Sequence, residues 1–194
     1  YREIPVLRFS KRNRTMSYAI ESIAKSIGAR RVGEYETTID WLLTDSRSLS
    51  FPEETLFFAL ATKRNSGARY IPDLYDRGVR NFVVSEEDWT TLAGQRYEEA
   101  NFLIVPNPLK ALQKLAEVHR ENFKIPVIGI TGSNGKTIVK EWLHQLLSPD
   151  RRIVRSPRSY NSQIGVPLSV WQLDEEAELG IFEAGISPMG DMEL

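Results

Sequence analysis

The C-terminal half of the chain has the most regular pattern of hydrophobic and polar positions. Short apolar runs alternate with longer segments whose apolar residues recur at helical spacing. This alternation predicts a parallel sheet with right-handed crossover connections. The predicted elements are a buried strand at Val127–Ile130, a loop at Thr131–Thr137, a helix at Ile138–Leu147, a strand at Ile153–Arg155, a helix at Ile164–Leu173 and a strand at Leu179–Ala184.

The residues before Pro106 alternate in a similar but looser way. They predict a small α/β domain at residues 16–106. Residues 1–15 are basic and their apolar positions show no regular spacing, so we interpret them as an extension or an appended segment. Residues 86–100 favour no element. The predicted elements are a helix from Tyr18 to Ile27 capped by Gly28, strands at Ile39–Leu43 and Leu56–Leu60, a helix at Ile71–Arg77, and strands at Asn81–Val84 and Phe102–Val105.

A helix start at Asn107-Pro108 separates the two halves. Asn is favoured as an N-cap and Pro at the first helical position. An apolar stripe follows, and His119 lies where we expect packing at its edge rather than metal binding. We place a domain boundary just before or within this helix, so that the second domain occupies residues 107–194.

Composition and charge narrow the classes of function. The 194 residues carry a net charge of −1, which argues against a nucleic-acid partner. They include no Cys, which excludes disulfides, thiolate nucleophiles and zinc–thiolate sites. The two His are too few for a His-rich metal site. No apolar run approaches the ~20 residues of a membrane helix, and the basic start of the chain lacks the apolar core of a signal peptide. We therefore expect a cytoplasmic protein without a membrane span.

The loop between the first predicted strand and helix of the second domain carries the strongest chemical signal. Glycines there allow successive backbone N–H groups to point at a phosphate, while Lys136 reaches the β- and γ-phosphates and Thr137 binds Mg²⁺. Ile130 occupies a position where the general phosphate-loop pattern has Gly, so a purely structural turn is the alternative. The candidate nucleotide-binding residues are Gly132, Ser133, Asn134, Gly135, Lys136 and Thr137.

The ordered motifs of the chain resemble those of the Mur ligase family, the ATP-dependent amide ligases of peptidoglycan synthesis. The resemblance spans roughly residues 16–194 and implies a small N-terminal α/β domain that binds a uridine nucleotide, followed by the first part of a P-loop-type, parallel-sheet ATPase domain. Ser66-Gly67-Ala68 departs from the family's Asp-Gly-His, and Gly190-Asp191 from its Gly-Glu. The matching segments are Gly132–Thr137, Tyr160–Pro167, Ile181–Gly185, Thr44–Arg47 and Leu56–Leu60.

The resemblance also implies an activity. In the branch that the stretch Tyr160–Pro167 favours, ATP and Mg²⁺ convert UDP-N-acetylmuramoyl-tripeptide into an acyl phosphate, which D-alanyl-D-alanine then attacks. Lys136 and Glu183 would be catalytic, and Thr137 and Glu183 would hold the metal. The family's remaining ATPase strands and C-terminal domain would lie beyond Leu194, so we expect the 194 residues alone to be inactive. The implied substrate-binding residues are Asp45, Ser46, Arg47, Asn161 and Ser162.

Several alternatives stay open at this point. A sister branch with another amine acceptor, a P-loop NTPase and a non-catalytic nucleotide-binding module all fit the loop. A local role in a turn explains Asn161 as well as substrate binding does. A turn at a strand end is likewise an alternative role for residues 45–47. Lys140 and Glu141 are interpreted as helix surface, and most of the arginines at 151, 152, 155 and 158 as a solvated face. Glu183 has the stronger functional case, because ligands bind at the carboxyl ends of parallel strands.

Overall fold

The protein is described by a computed structural model that covers residues 16–62, 65–92, 94–157 and 160–185. The predicted extension at residues 1–15 and the pair Gly190-Asp191 therefore lie outside the described residues. The chain divides into two compact units between Ala111 and Leu112, within a helix at Pro108–Glu121. The mixed α/β architecture with parallel sheets confirms the predicted fold class.

A five-stranded sheet forms the centre of the first unit. Its strand order is β2-β7-β6-β5-β4, with β4 to β7 parallel and β2 antiparallel at one edge. β1 and β3 form a separate antiparallel pair. The strands are β1 (Tyr18–Ala19), β2 (Arg30–Val32), β3 (Thr38–Ile39), β4 (Trp41–Leu43), β5 (Thr55–Phe58), β6 (Asn81–Ser85) and β7 (Asn101–Val105), and the helices are α1 (Ile20–Ser26), α2 (Ile71–Asp76), α3 (Glu86–Leu92) and α4 (Pro108–Glu121).

The core of this unit lies on its central strands. β5 and β7 are buried at every position and are nearly continuous apolar runs, as expected of parallel strands covered on both faces. The rings of Phe82 and Phe102 stack with their centroids 5.2 Å apart. The single strand predicted at residues 39–43 is wrong, because the chain changes partner at Asp40: β3 pairs with β1, and β4 pairs with β5.

The second unit contains a three-stranded parallel sheet with the order β8-β10-β9. β8 and β9 have the predicted bounds. β8 was expected to be buried, but it lies at an edge of the described sheet and Val127 is 38% exposed. β10, the central strand, is buried at every position. The elements of this unit are β8 (Val127–Ile130), α5 (Lys136–Leu147), β9 (Ile153–Arg155), α6 (Gly165–Val170) and β10 (Leu179–Glu183).

Candidate functional site

The glycine loop joins the end of β8 to the start of α5. Gly132 and Gly135 have φ angles of 135° and 80°, a region that side chains with a Cβ rarely adopt. A Cβ at either position meets nothing closer than 4.0 Å, so backbone conformation rather than space requires glycine there. Ile130, the departure from the general pattern, is the last residue of β8 and pairs with Glu183. In this chain β8 therefore includes the position at which the general phosphate-loop pattern has its first Gly.

Lys136 and Thr137 open helix α5, two residues earlier than the helix start predicted at Ile138. The Lys136 ammonium donates a hydrogen bond to the carbonyl oxygen of Gly132 at 2.5 Å, so its side chain folds over the loop. The dipole of α5 and the unpaired N–H groups of its first turn point toward the same loop. The loop thus combines backbone donors, a helix N-terminus and a cation, which together suit a phosphate group.

Glu183 ends the central strand β10, beside this loop. Its side chain is fully buried, and its Oε2 accepts a hydrogen bond from the Thr137 hydroxyl at 3.1 Å. The structure thereby brings together the two residues expected to hold a metal. A hydroxyl and a carboxylate oxygen suit Mg²⁺, which usually takes one or two protein ligands and completes its octahedron with water and phosphate oxygens. Among the described residues, no three His, Asp or Glu side chains form a metal-binding cluster.

Lys140 is a site residue that the sequence interpretation missed. The expectation that it lies on the helix surface is wrong: its side chain is 0% exposed, and its ammonium lies 2.8 Å from Glu183 Oε1. The ammonium also donates to the Ser156 carbonyl oxygen at 2.8 Å. One helical signal could have found it, because Thr137 and Lys140 are three residues apart and share a helix face. If Thr137 faces the strand end, Lys140 does too.

Glu141 and the nearby arginines are only partly a solvated face. Glu141 is half-buried and forms an ion pair with Arg155. Partial burial raises the pKa of Glu141, but the hydrogen bond from Arg155 and the neighbouring positive charges outweigh it, so that this pKa lies below its ordinary value. Arg152 pairs with Glu176 in an exposed contact. Arg158 lies outside the described residues.

Asn161 reaches the same strand end through its backbone. Its carbonyl oxygen accepts a hydrogen bond from Gly185 N–H at 2.7 Å, which fixes the loop after β9 to the chain just past Glu183. Ser162 has a local role, since its hydroxyl accepts from Gly165 N–H at 3.0 Å at the start of α6. Ser162 therefore has the local role, whereas Asn161 contacts the chain two residues past Glu183 through its backbone.

Residues 45–47 form a compact group in the first unit, directly after β4. Asp45 caps a short 3₁₀ helix, Ser46–Ser48, by accepting from Arg47 N–H at 3.0 Å. The Arg47 guanidinium also bonds the Asp45 carboxylate, at 2.5 Å from Oδ2, and this contact lowers the pKa of Asp45. The carbonyl oxygen of Ser46 accepts from Arg77 at 2.9 Å. The Arg47 side chain is 78% exposed and accessible to an anion.

Comparison with known proteins places this geometry in context. The family description Mur ligase middle domain matches residues 130–194, which include the loop, Lys140 and Glu183. The UDP-N-acetylmuramoyl-tripeptide–D-alanyl-D-alanine ligase of Bacillus subtilis is 30% identical over 177 residues, covering 90% of this chain and 37% of that protein. The ligase of the same name from Borreliella burgdorferi is 33% identical over 165 residues, covering 82% of this chain and 35% of its own length.

A solved structure extends the similarity to three dimensions. The crystal structure of MurF ligase from Thermotoga maritima in complex with ADP matches with a TM-score of 0.64 and 27% identity, over 77% of this chain and 33% of that one. The chain therefore spans about a third of the length of each of these three proteins. Among the helices described, none is long and apolar enough to cross a membrane.

Proposed function

We propose that the complete protein joins D-alanyl-D-alanine to UDP-N-acetylmuramoyl-tripeptide at the expense of ATP. This chain belongs to the Mur ligase family and matches about a third of the length of relatives with that activity in their names. One observation carries the proposal. The phosphate-type loop at residues 132–137 and a buried strand-end carboxylate, Glu183, meet at one edge of a parallel sheet. A reaction that transfers a phosphoryl group needs both features in one place.

In the first step, an oxygen of the substrate carboxylate attacks the γ-phosphorus of ATP and ADP leaves. Negative charge accumulates on the transferred group, and the catalytic contribution is alignment and electrostatic stabilisation. The loop N–H groups hold the phosphates, and Lys136 leaves the Gly132 carbonyl oxygen to contact the β- and γ-phosphates. In the second step, the amine of the dipeptide attacks the acyl carbon and inorganic phosphate leaves, so that an amide forms.

Thr137 and Glu183 are the residues that would hold Mg²⁺. When bound there, Mg²⁺ would supply positive charge that offsets the negative charge of the phosphates during transfer. The Thr137 hydroxyl supplies a neutral oxygen and Glu183 an anionic one, directly or through a water molecule. Their contact at 3.1 Å already orients the two groups toward each other.

We assign substrate binding to two places in the chain. The domain at residues 16–106 would bind the uridine nucleotide, with Asp45, Ser46 and Arg47 at the end of β4, and Arg47 is exposed enough to contact a pyrophosphate. Asn161 and Ser162, in the domain that begins at residue 107, would contact the peptide portion. We place the reaction in the cytoplasm.

The test is ADP release by the complete protein with UDP-N-acetylmuramoyl-tripeptide, ATP and Mg²⁺, in the presence and absence of D-alanyl-D-alanine. We expect release to require the dipeptide. Lys136→Ala should lower kcat by about 100-fold or more, because it removes a preorganised cation from the transferred phosphoryl group. Lys124→Ala is a matched control that removes an exposed lysine and should leave the rate unchanged.

Each alternative has its own outcome in the same assay. If ADP release requires a free diamino acid and does not respond to the dipeptide, the protein belongs to the sister branch with another amine acceptor. Release without any amine would favour a P-loop NTPase. ATP binding without release under any condition would leave a nucleotide-binding module and contradict the ligase proposal.

A further inference from the structure

Lys140 is a fully buried lysine whose charge is paired with the candidate magnesium ligand. Its ammonium lies 2.8 Å from Glu183 Oε1 and also 3.4 Å from the half-buried carboxylate of Glu141. A buried ammonium is costly unless it is paired and hydrogen-bonded, and this one meets both conditions. The Ser156 carbonyl oxygen accepts a hydrogen bond from the same ammonium at 2.8 Å.

These contacts join three elements around one carboxylate. Ser156, directly after β9, accepts a hydrogen bond from Glu183 N–H through its hydroxyl at 3.1 Å, and its carbonyl oxygen accepts from Lys140 on α5. Glu183 is therefore held at its backbone by β9 and at its side chain by α5. Lys140 connects the two, since it bonds both Ser156 and Glu183.

The two oxygens of the Glu183 carboxylate consequently have different neighbours. Oε1 faces the Lys140 ammonium, whereas Oε2 faces the Thr137 hydroxyl at 3.1 Å. We propose that Lys140 is a positioning residue, which occupies Oε1 and thereby presents Oε2, together with the Thr137 hydroxyl, to the metal ion that accompanies the nucleotide. This inference rests on the proposed function for the identity of the metal–nucleotide ligand, but not on the identity of the amine acceptor.

Direct metal binding tests the proposal without catalysis. Mn²⁺ binding to the complete protein, saturated with ADP, is measured by electron paramagnetic resonance for the wild type and for Lys140→Met, Lys140→Gln and Lys140→Arg. Residues that orient metal ligands typically contribute about 10–100-fold in metal affinity. We expect Lys140→Met and Lys140→Gln to weaken Mn²⁺ binding by at least about tenfold, and Lys140→Arg to restore most of it, because arginine keeps a donor charge opposite Oε1.

Two further measurements separate positioning from general damage. ADP binding in EDTA should stay within about twofold of the wild type in each folded variant, because Lys140 acts on the metal ligand and not on the phosphate loop. Lys124→Met is the matched control: it makes the same substitution at an exposed lysine outside α5. Its Mn²⁺ affinity should equal that of the wild type.

The outcomes are decisive in both directions. Unchanged Mn²⁺ affinity in a folded Lys140→Met or Lys140→Gln variant would overturn the inference, as would equal losses of metal-free ADP binding and Mn²⁺ binding. Circular dichroism identifies the folded variants, and Lys140→Gln, which keeps a hydrogen-bond donor, serves if Lys140→Met does not fold. A wild type that binds Mn²⁺–ADP but shows no dipeptide-dependent turnover would refute the proposed ligase activity, and weakened Mn²⁺ binding in the Lys140 variants would then still support the role of Lys140.

Discussion

At the scale of single residues, Gly185 lies where two backbone segments, the chain after β10 and the loop after β9, come very close together. A Cβ at this position would lie 2.6 Å from the carbonyl oxygen of Asn161, the atom that accepts the Gly185 N–H. The obstructing atom belongs to the backbone, so it moves only if the loop after β9 moves. Gly185 is therefore required by space, whereas Gly135 is required by its positive φ.

Replacement of this glycine should destabilise the protein. We expect Gly185→Ala to lower the free energy of unfolding by about 1–3 kcal/mol, the usual cost of forcing an extra group into a packed site. Chemical denaturation of the complete protein measures the change. Gly94→Ala is the control, because a Cβ there meets nothing within 4 Å, and equal stability losses in the two variants would contradict the steric explanation.

The residues of the site differ in how far the sequence alone could identify them. The glycines, Lys136 and Thr137 follow a local pattern whose chemistry is known, and Glu183 ends an apolar run. The local signal for Lys140 is weaker, because its spacing from Thr137 indicates only a shared helix face, and its burial depends on Glu183 and Ser156, which lie far from it in the chain. A polar residue in a helix is usually exposed, and only the tertiary partners show when it is not.

At the scale of elements, local signals predicted most boundaries of the second unit and fewer of the first. β8 and β9 were predicted with their observed bounds, since short apolar runs between turn signals leave little choice. β2 was missed because Arg30-Arg31-Val32 lacks an apolar pattern, and its pairing with β7 at a sheet edge creates the strand. α3, in the segment left unassigned, begins with three acidic residues and buries only its last residue, Leu92, so its periodicity is weak.

The N-cap of α4 gives a prediction at this scale. The side-chain oxygen of Asn107 accepts hydrogen bonds from Leu109 N–H at 2.9 Å and from Lys110 N–H at 3.1 Å. Asn107→Ala should therefore lower the free energy of unfolding by about 1 kcal/mol, because two donors of the first turn lose their partner. Asn107→Asp keeps the acceptor and should be nearly neutral. A comparable loss in both variants, measured by thermal unfolding, would show that the cap does not stabilise the helix.

At the scale of the whole molecule, a buried histidine links stability to pH. His119 is 1% exposed, and its Nε2 donates to the Leu173 carbonyl oxygen at 3.0 Å. Burial lowers the pKa of His119, and the hydrogen bond to Leu173 raises it by a smaller amount. The resulting pKa is about 4. The ring is thus neutral in the folded protein at pH values where the unfolded chain, with a pKa of about 6.5, takes up a proton.

The direction of the pH effect follows from this difference. Because the folded pKa is the lower one, the stability contributed by neutral His119 is fully present above pH ~6.5 and is lost as the pH falls toward 4. Between pH 7 and pH 5 we expect a loss of about 2 kcal/mol. Thermal unfolding at both pH values should show a smaller loss in His119→Gln than in the wild type.

The other described histidine provides the control. The pKa of His144 is also lowered, first by partial burial and then by the charge of Arg155, but the residue lies on α5 at an intermediate depth. His144→Gln should leave the pH dependence close to that of the wild type. If it removes as much of the dependence as His119→Gln does, the buried histidine is not its source.

The position of Glu183 on the central strand of its sheet has one more consequence. Its backbone pairs with Ile130 on one side and bonds the Ser156 hydroxyl on the other, while its carboxylate is held by Thr137 and Lys140. Water around a phosphate must reorient when charge moves during a reaction, whereas groups fixed in this way are already oriented. A change in charge at this edge of the sheet therefore requires little reorganisation energy. The fold orients these groups before any ligand binds.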